Sequence, residues 1–161
     1  MAPYAACKTR LRLVGLGNEI LADDAFGIIA AREVRRRFEH ELEVVTSSET
    51  GFNLLDLMLN TPLLLVVDTI VTGRVKPGTI QIFEEQDTRP ELGSSPHFIG
   101  LFEVLAAARQ LGLPVPSHVW IFAVEAADCV TVGGPMRPEL RQALGAVTDW
   151  VESFLEVAPD A

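Results

Sequence analysis

The chain has 161 residues, a formal net charge of −9 and a hydrophobic content of 48%. The acidity argues against a nucleic acid or an anionic membrane as partner, because phosphate-binding surfaces need clustered Lys and Arg. The length fits one domain, which we place at residues 1–161 with a loose tail at 1–9. No apolar run approaches the ~20 residues of a membrane-spanning helix.

The cysteines and the N-terminus favour a cytoplasmic location. Cys7 and Cys129 are far apart and form no CxxC pair, so neither a disulfide framework nor a zinc knuckle is expected. The first ten residues, MAPYAACKTR, lack the apolar core of a signal peptide. We therefore expect a cytoplasmic protein.

Short apolar runs alternate with stretches of helical periodicity along the whole chain. Strands are predicted at Leu11–Leu16, Leu42–Thr46, Leu63–Val67, Thr79–Phe83 and Val119–Val124. Four helices are predicted. The first begins near Asp23 or Asp24, and the second spans Phe52–Leu59. The third begins near His97, and the fourth follows the apolar stripe from Leu140 to Phe154. This order predicts an α/β fold with a mostly parallel sheet.

The fourth strand is predicted to differ from the others in direction. Only ten residues, TIVTGRVKPG, follow Asp68 before this strand begins, and a parallel crossover usually needs a dozen or more. We therefore predict a three-layer sandwich. Its five-stranded sheet has one antiparallel edge strand, and helices cover both faces.

Three chemically active side chains are predicted to meet at one edge of this sheet. Asp24 follows the first strand, Asp68 directly follows the third, and His97 begins the helix that returns to the fifth. In open α/β sheets, sites form beyond the carboxyl ends of the parallel strands. Two carboxylates and an imidazole suit a divalent first-row metal with open coordination positions.

Each of these residues also has a structural interpretation. Asp24, or its neighbour Asp23, could cap the following helix. Asp68 could close a turn with its own backbone. His97 could hydrogen-bond to the backbone at the start of its helix.

Other functional classes find less support in the sequence. Gly15 and Gly17 suggest a dinucleotide-binding turn, but the third glycine of GxGxxG is missing and the nearby acids would repel phosphate. A GxSxG nucleophile elbow is also missing. Ser47, Ser48 and Cys129 therefore have no motif that supports a nucleophilic role.

Three motifs in this order and spacing resemble the nickel–iron hydrogenase maturation proteases. They read GLGNEILADDAFG (15–27), LLVVDTI (64–70) and SPHFIGLFEVL (95–105), and GFNLLDLM (51–58) also resembles a helix of that family. The resemblance implies a cytoplasmic endopeptidase and hydrogenase activator. Its substrate would be a nickel-loaded large-subunit precursor, from which it removes the C-terminal extension.

The resemblance also implies the roles of the site residues. Asp24, Asp68 and His97 would be catalytic and would engage nickel supplied by the substrate, with no permanently bound cofactor. We expect the enzyme to be a monomer. Metal-activated water and carboxylate-assisted attack, as in an aspartic-type peptidase, are both physically reasonable. The sequence departs from the family at Ala25, where Gly is common, and at the turn 46–49. A non-catalytic metal- or partner-binding α/β module is the alternative.

Overall fold

A five-stranded sheet forms the centre of the computed structural model, which describes residues 11–87 and 96–157, with backbone only for 96–99. Its strands are β1 (Leu11–Leu16), β2 (Glu43–Ser47), β3 (Leu63–Ile70), β4 (Ile80–Glu84) and β5 (His118–Glu125). Their spatial order is β2-β1-β3-β5-β4. Four strands are parallel, and β4 is antiparallel to β5 at the edge, as predicted.

The helices lie on both faces of this sheet. They are α1 (Phe26–Arg37), α2 (Leu55–Met58), α3 (Pro96–Gln110) and α4 (Pro138–Val157), with 3₁₀ turns at Ala22–Ala25, Gly51–Leu54 and Glu85–Asp87. Apolar side chains of α1 and α4 pack with one face, and those of α2 and α3 with the other. The predicted three-layer α/β sandwich is therefore confirmed.

Strand β3 is deeply buried within the sheet. Its apolar residues Leu64, Leu65, Val66 and Val67 are fully buried, as expected for a central strand covered on both faces. The strand does not end before Asp68, and that prediction was wrong. Pairing with β5 continues to Ile70, so Asp68 lies within the strand opposite Ala123.

None of the helices within residues 11–87 and 96–157 combines the length and the apolar character needed to cross a bilayer. The tail predicted at residues 1–9 lies outside the described residues.

Candidate active site

Three glycine contacts hold the turn Ala22–Ala25 against the carboxyl edge of the sheet, the edge at which β1, β2, β3 and β5 end. A Cβ on Gly27 would lie 2.0 Å from the carbonyl oxygen of Leu16 and 2.5 Å from that of Val67. A Cβ on Gly15 would lie 2.2 Å from the carbonyl oxygen of Gly27. Helix α1 can therefore begin in direct contact with β1 and β3 only because these residues have no side chains.

Gly17 fixes the backbone position of Asp24, the residue of this turn that the sequence predicts to belong to the site. Its φ is +150°, and a Cβ there would stand 2.0 Å from the carbonyl oxygen of Asp24. The same oxygen accepts a hydrogen bond from the backbone N–H of Asn18 at 3.1 Å. The loop that follows β1 is thus closed back onto Asp24, and its glycines shape the backbone that presents this acid.

Thr69 connects the two predicted carboxylates. Its hydroxyl donates to Oδ1 of Asp24 at 3.1 Å, and its backbone N–H donates to Oδ1 of Asp68 at 2.7 Å. Asp68 is fully buried, and Thr69 and Asp24 are 4% and 8% exposed. We call these residues the Asp24–Thr69–Asp68 cluster. Thr69 was missed by sequence reasoning, although a hydroxyl directly after a candidate site acid was a usable signal.

Asp23 has a different role from its neighbour. Its Oδ2 accepts the backbone N–H groups of Ala127 and Asp128 at 3.1 and 3.0 Å, and its Oδ1 accepts that of Arg137 at 2.9 Å. This fully buried carboxylate therefore anchors the loop between β5 and α4. The N-cap of α1 is Ala25, so the alternative that either acid caps this helix is wrong.

The backbone just before the two acids is strained. Ala22 has a φ of +40°, in the left-handed region that non-glycine residues rarely adopt, and it is buried. Such a residue costs roughly 1–2 kcal/mol and persists where surrounding contacts hold it. The hydrogen bonds of Asp23 supply such contacts directly after it.

Glu125 anchors a second loop, the one that connects β3 to β4. Its Oε1 accepts the backbone N–H groups of Thr72 and Gly73 at 2.8 and 2.9 Å, and its Oε2 accepts the hydroxyl of Thr72 at 2.9 Å. The residue is 1% exposed. Asp23 and Glu125 are therefore the anchor carboxylates of this edge.

Cys129 lies beside the cluster but is unsuited to nucleophilic attack. Its sulfur is 3.7 Å from the hydroxyl of Thr69. Burial raises the pKa of the thiol to about 12, and the negative charges of Asp24, Asp23 and Asp68 act in the same direction, while the Thr69 contact opposes them. About 10⁻⁴ of the thiol would be ionised at pH 8, and the thiolate is the reactive form.

The third predicted residue, His97, is placed by its backbone alone. It is the second residue of α3, and this helix leads into β5, so its first turn lies at the carboxyl edge. Its side chain lies outside the described residues. Among the side chains that are described, no group of three or more His, Cys, Asp and Glu could hold a metal.

The other two histidines lie elsewhere. His118 begins β5 at the opposite edge of the sheet, where its Nδ1 lies 2.7 Å from Oε1 of Glu84. The hydrogen bond from this imidazole lowers the pKa of Glu84. His40 is exposed in the connection after α1.

A parallel sheet with buried acids at its carboxyl edge is a common arrangement for an α/β enzyme. Comparison with known proteins identifies which kind. A family model described as hydrogenase maturation protease matches residues 28–154. The chain belongs to this family, which confirms the predicted resemblance and the predicted enzyme class, a peptidase. The matched range contains Asp68 and His97, and Asp24 lies just before it.

Individual relatives agree with this assignment. The chain is 32% identical over 162 residues to the hydrogenase 2 maturation protease of Escherichia coli, a match that covers 93% of this chain and 96% of that protein. It is 29% identical over 149 residues to the hydrogenase expression/formation protein HupD of Thiocapsa roseopersicina. There it covers 89% of this chain and 65% of the relative's length.

Solved structures show the same fold. The hydrogenase maturating endopeptidase HybD of Escherichia coli superposes with a TM-score of 0.77 at 24% identity, covering 92% of this chain and 93% of that one. The hydrogenase maturation protease HybD of Thermococcus kodakarensis gives 0.71 at 20% identity, covering 91% and 99%.

Proposed function

We propose that this protein is an endopeptidase that removes the C-terminal extension of a nickel-loaded hydrogenase large-subunit precursor. It recognises the substrate's nickel through Asp24, Asp68 and His97. The observation that carries the proposal is the Asp24–Thr69–Asp68 cluster, in which one residue hydrogen-bonds to both predicted carboxylates. The cluster lies at the carboxyl edge of the sheet of a maturation-protease fold.

The donor types of the proposed site suit a metal brought by the substrate. Carboxylate oxygens and an imidazole nitrogen are ordinary ligands for divalent first-row cations, and nickel accepts imidazole. Two buried carboxylates close together are each stabilised when a cation comes between them. Three protein ligands leave coordination positions for groups that the substrate keeps on its metal. We propose that the nickel is part of the substrate and not a resident cofactor.

The proposed chemistry uses water as the nucleophile. Cys129 is held as a thiol by its high pKa of about 12, which makes covalent cysteine catalysis unfavourable at neutral pH. The substrate's metal can polarise the water, or a carboxylate can accept its proton. In either route Asp24 and Asp68 hold the negative charge that faces the reacting centre, and Thr69 keeps Asp24 oriented.

The direct test is to mix the protein with a nickel-loaded large-subunit precursor and to weigh the products by mass spectrometry. We expect the precursor to lose the mass of its extension, and a nickel-free precursor to remain whole. Asp68→Asn and His97→Ala should abolish cleavage while circular dichroism shows a native fold. Asp149→Asn and His118→Ala are the matched controls and should cut normally, because Asp149 is exposed on α4 and His118 is at the opposite edge.

Three results would contradict the proposal. If the mass of the precursor stays unchanged under conditions in which another maturation protease cuts it, the proposed endopeptidase function is wrong. Binding of the nickel-loaded precursor without cleavage would favour the non-catalytic module. Normal cleavage by Asp68→Asn and His97→Ala would show that the site is elsewhere.

We also propose that the enzyme works as a monomer in the cytoplasm. The acidic surface, with a net charge of −9, favours separate molecules through mutual repulsion. Sedimentation velocity should give a single species near the mass of one chain. A dimer at micromolar concentration would contradict this part of the proposal.

A further inference from the structure

Helix α3 and the turn Gly51–Leu54 approach each other more closely than side chains would permit. A Cβ on Gly100 would lie 2.6 Å from the backbone nitrogen of Gly51 and 2.8 Å from its Cα. Ordinary contacts of a Cβ begin at 3.4 Å. The atoms approached are backbone, so they cannot rotate away as a flexible side chain could.

The partner of this contact is itself fixed by its conformation. Gly51 follows the loop after β2 at the carboxyl edge and has a φ of +59°, which favours glycine. Nothing lies within 4 Å of the position of its own Cβ. The two glycines therefore do different things: Gly51 allows the turn, and Gly100 allows the helix to touch it.

The remainder of α3 is fixed by other contacts. Leu101, Val104 and Leu105 are buried in the core cluster that also contains Leu54 and Met58. At the other end, Arg109 donates to both carboxylate oxygens of Glu85 at 2.9 and 2.7 Å. Among the described contacts of α3, the Gly100–Gly51 contact is the one nearest its N-terminal end, where it sets the helix against the carboxyl edge.

We propose that Gly100 is a positioning residue, which sets the place of His97 relative to Asp24 and Asp68 through its contact with Gly51. This inference rests on the proposed function. His97 precedes Gly100 by three residues, about 4.5 Å along the helix. A methyl group at position 100 must open the contact from 2.6 Å to about 3.4 Å, a shift of about 0.8 Å. Catalytic groups need placement within about 0.5 Å.

The test compares Gly100→Ala with Gly145→Ala. Both replace a glycine within a helix, and Gly145 of α4 has nothing within 4 Å of an added Cβ. We expect Gly100→Ala to lower kcat for the nickel-loaded precursor by about 10- to 100-fold with little change in KM, since a misplacement of about 1 Å can cost 10²-fold. Gly145→Ala should cut like the wild type.

A second measurement reads the position of His97 without any substrate. The chain has only three histidines, so their imidazole NMR signals can be assigned with His97→Ala. Gly100→Ala should move the His97 signals and leave those of His40 and His118 in place. Gly112→Ala is a control for lost stability alone. Gly112 follows the C-terminal end of α3, has a φ of +69° and has nothing within 4 Å of an added Cβ, so the variant strains the backbone away from the contact and should leave the His97 signals nearly unmoved.

The outcomes separate this inference from the proposed function. If the wild type cuts no precursor, the proposed function fails, and the His97 signals still test the positioning. If Gly100→Ala cuts at the wild-type rate with unmoved His97 signals, the positioning role is overturned. A Gly100→Ala variant that does not fold would also overturn it, because the contact would then serve folding and not the placement of one residue.

Discussion

Two pairs of buried carboxylates lie at the carboxyl edge and differ in the residues that hydrogen-bond to them. Asp23 and Glu125 accept hydrogen bonds from the backbone of loops that come from other parts of the chain. Asp24 and Asp68 both hydrogen-bond to one residue, Thr69, at the end of β3. Burial is nearly the same in both pairs, so burial does not distinguish an anchor from a candidate site acid. What distinguishes Asp24 and Asp68 is that they share one partner residue, Thr69.

The contrast is sharpest between Asp23 and Asp24, which are adjacent in sequence. Both lie in the 3₁₀ turn Ala22–Ala25. Three residues complete one turn of such a helix, so neighbouring side chains leave it about 120° apart. One acid therefore reaches the loop after β5, and the other reaches β3.

The largest expected effect comes from removing the charge of the candidate site acid. Asp24→Asn should lower the rate of precursor cleavage by about 10²-fold or more, because the carboxylate is proposed to face the reacting centre. The melting temperature should change little, since the amide can still accept from Thr69. Mass spectrometry measures the rate of cleavage, and thermal unfolding measures the melting temperature. A variant that cuts normally but melts early would make Asp24 a second anchor.

The second-largest expected effect is a loss of stability when the anchor carboxylate Asp23 is removed. Asp23→Ala removes the acceptor of three part-buried hydrogen bonds from backbone N–H groups, and a hydrogen bond to a charged group is worth about 1.5–3 kcal/mol. We expect the free energy of unfolding to fall by about 3 kcal/mol or more, measured by urea denaturation. Asp149→Ala, at an exposed position on α4, should change it by less than about 0.5 kcal/mol. An Asp23→Ala variant as stable as the wild type would refute the anchoring role.

The smallest expected effect comes from replacing two matched threonines, one beside each pair of carboxylates. Thr69→Val removes a hydroxyl that donates to Asp24, and Thr72→Val removes one that donates to Glu125. Each should destabilise by about 1.5–3 kcal/mol, the range for a hydrogen bond to a charged group. Only Thr69→Val should also slow cleavage, by about tenfold. Equal cleavage rates for the two variants would show that orientation of Asp24 is unimportant.

Local patterns in the sequence predict most of the fold. The apolar run of β3 and the apolar stripe of α4 are strong periodic signals, and the short connection after Asp68 correctly predicts an antiparallel edge strand. The end of β3 was placed too early, because an acid inside a buried strand is rare and is read as a boundary. Pairing with β5, a strand about 50 residues later, extends β3 through this acid.

The site was harder to predict because its contacts join residues distant in sequence. Topology brings Asp24 and Asp68 to one edge, but no periodic signal shows that Thr69 touches both. The role of Asp23 depends on a loop more than 100 residues later. The position of the His97 side chain stays a prediction.

The anchor at Asp23 also bears on how the enzyme is made. Its three carboxylate hydrogen bonds span 104, 105 and 114 residues of chain, so they can form only when a long stretch after Asp23 has been made. A nascent chain that ends before Arg137 already contains Asp24, Asp68 and His97 but lacks contacts that hold the strained turn after β1. Such long-range contacts form late in folding because large loops must close first. The turn Ala22–Ala25 can therefore gain these three contacts only after Arg137 has been synthesised.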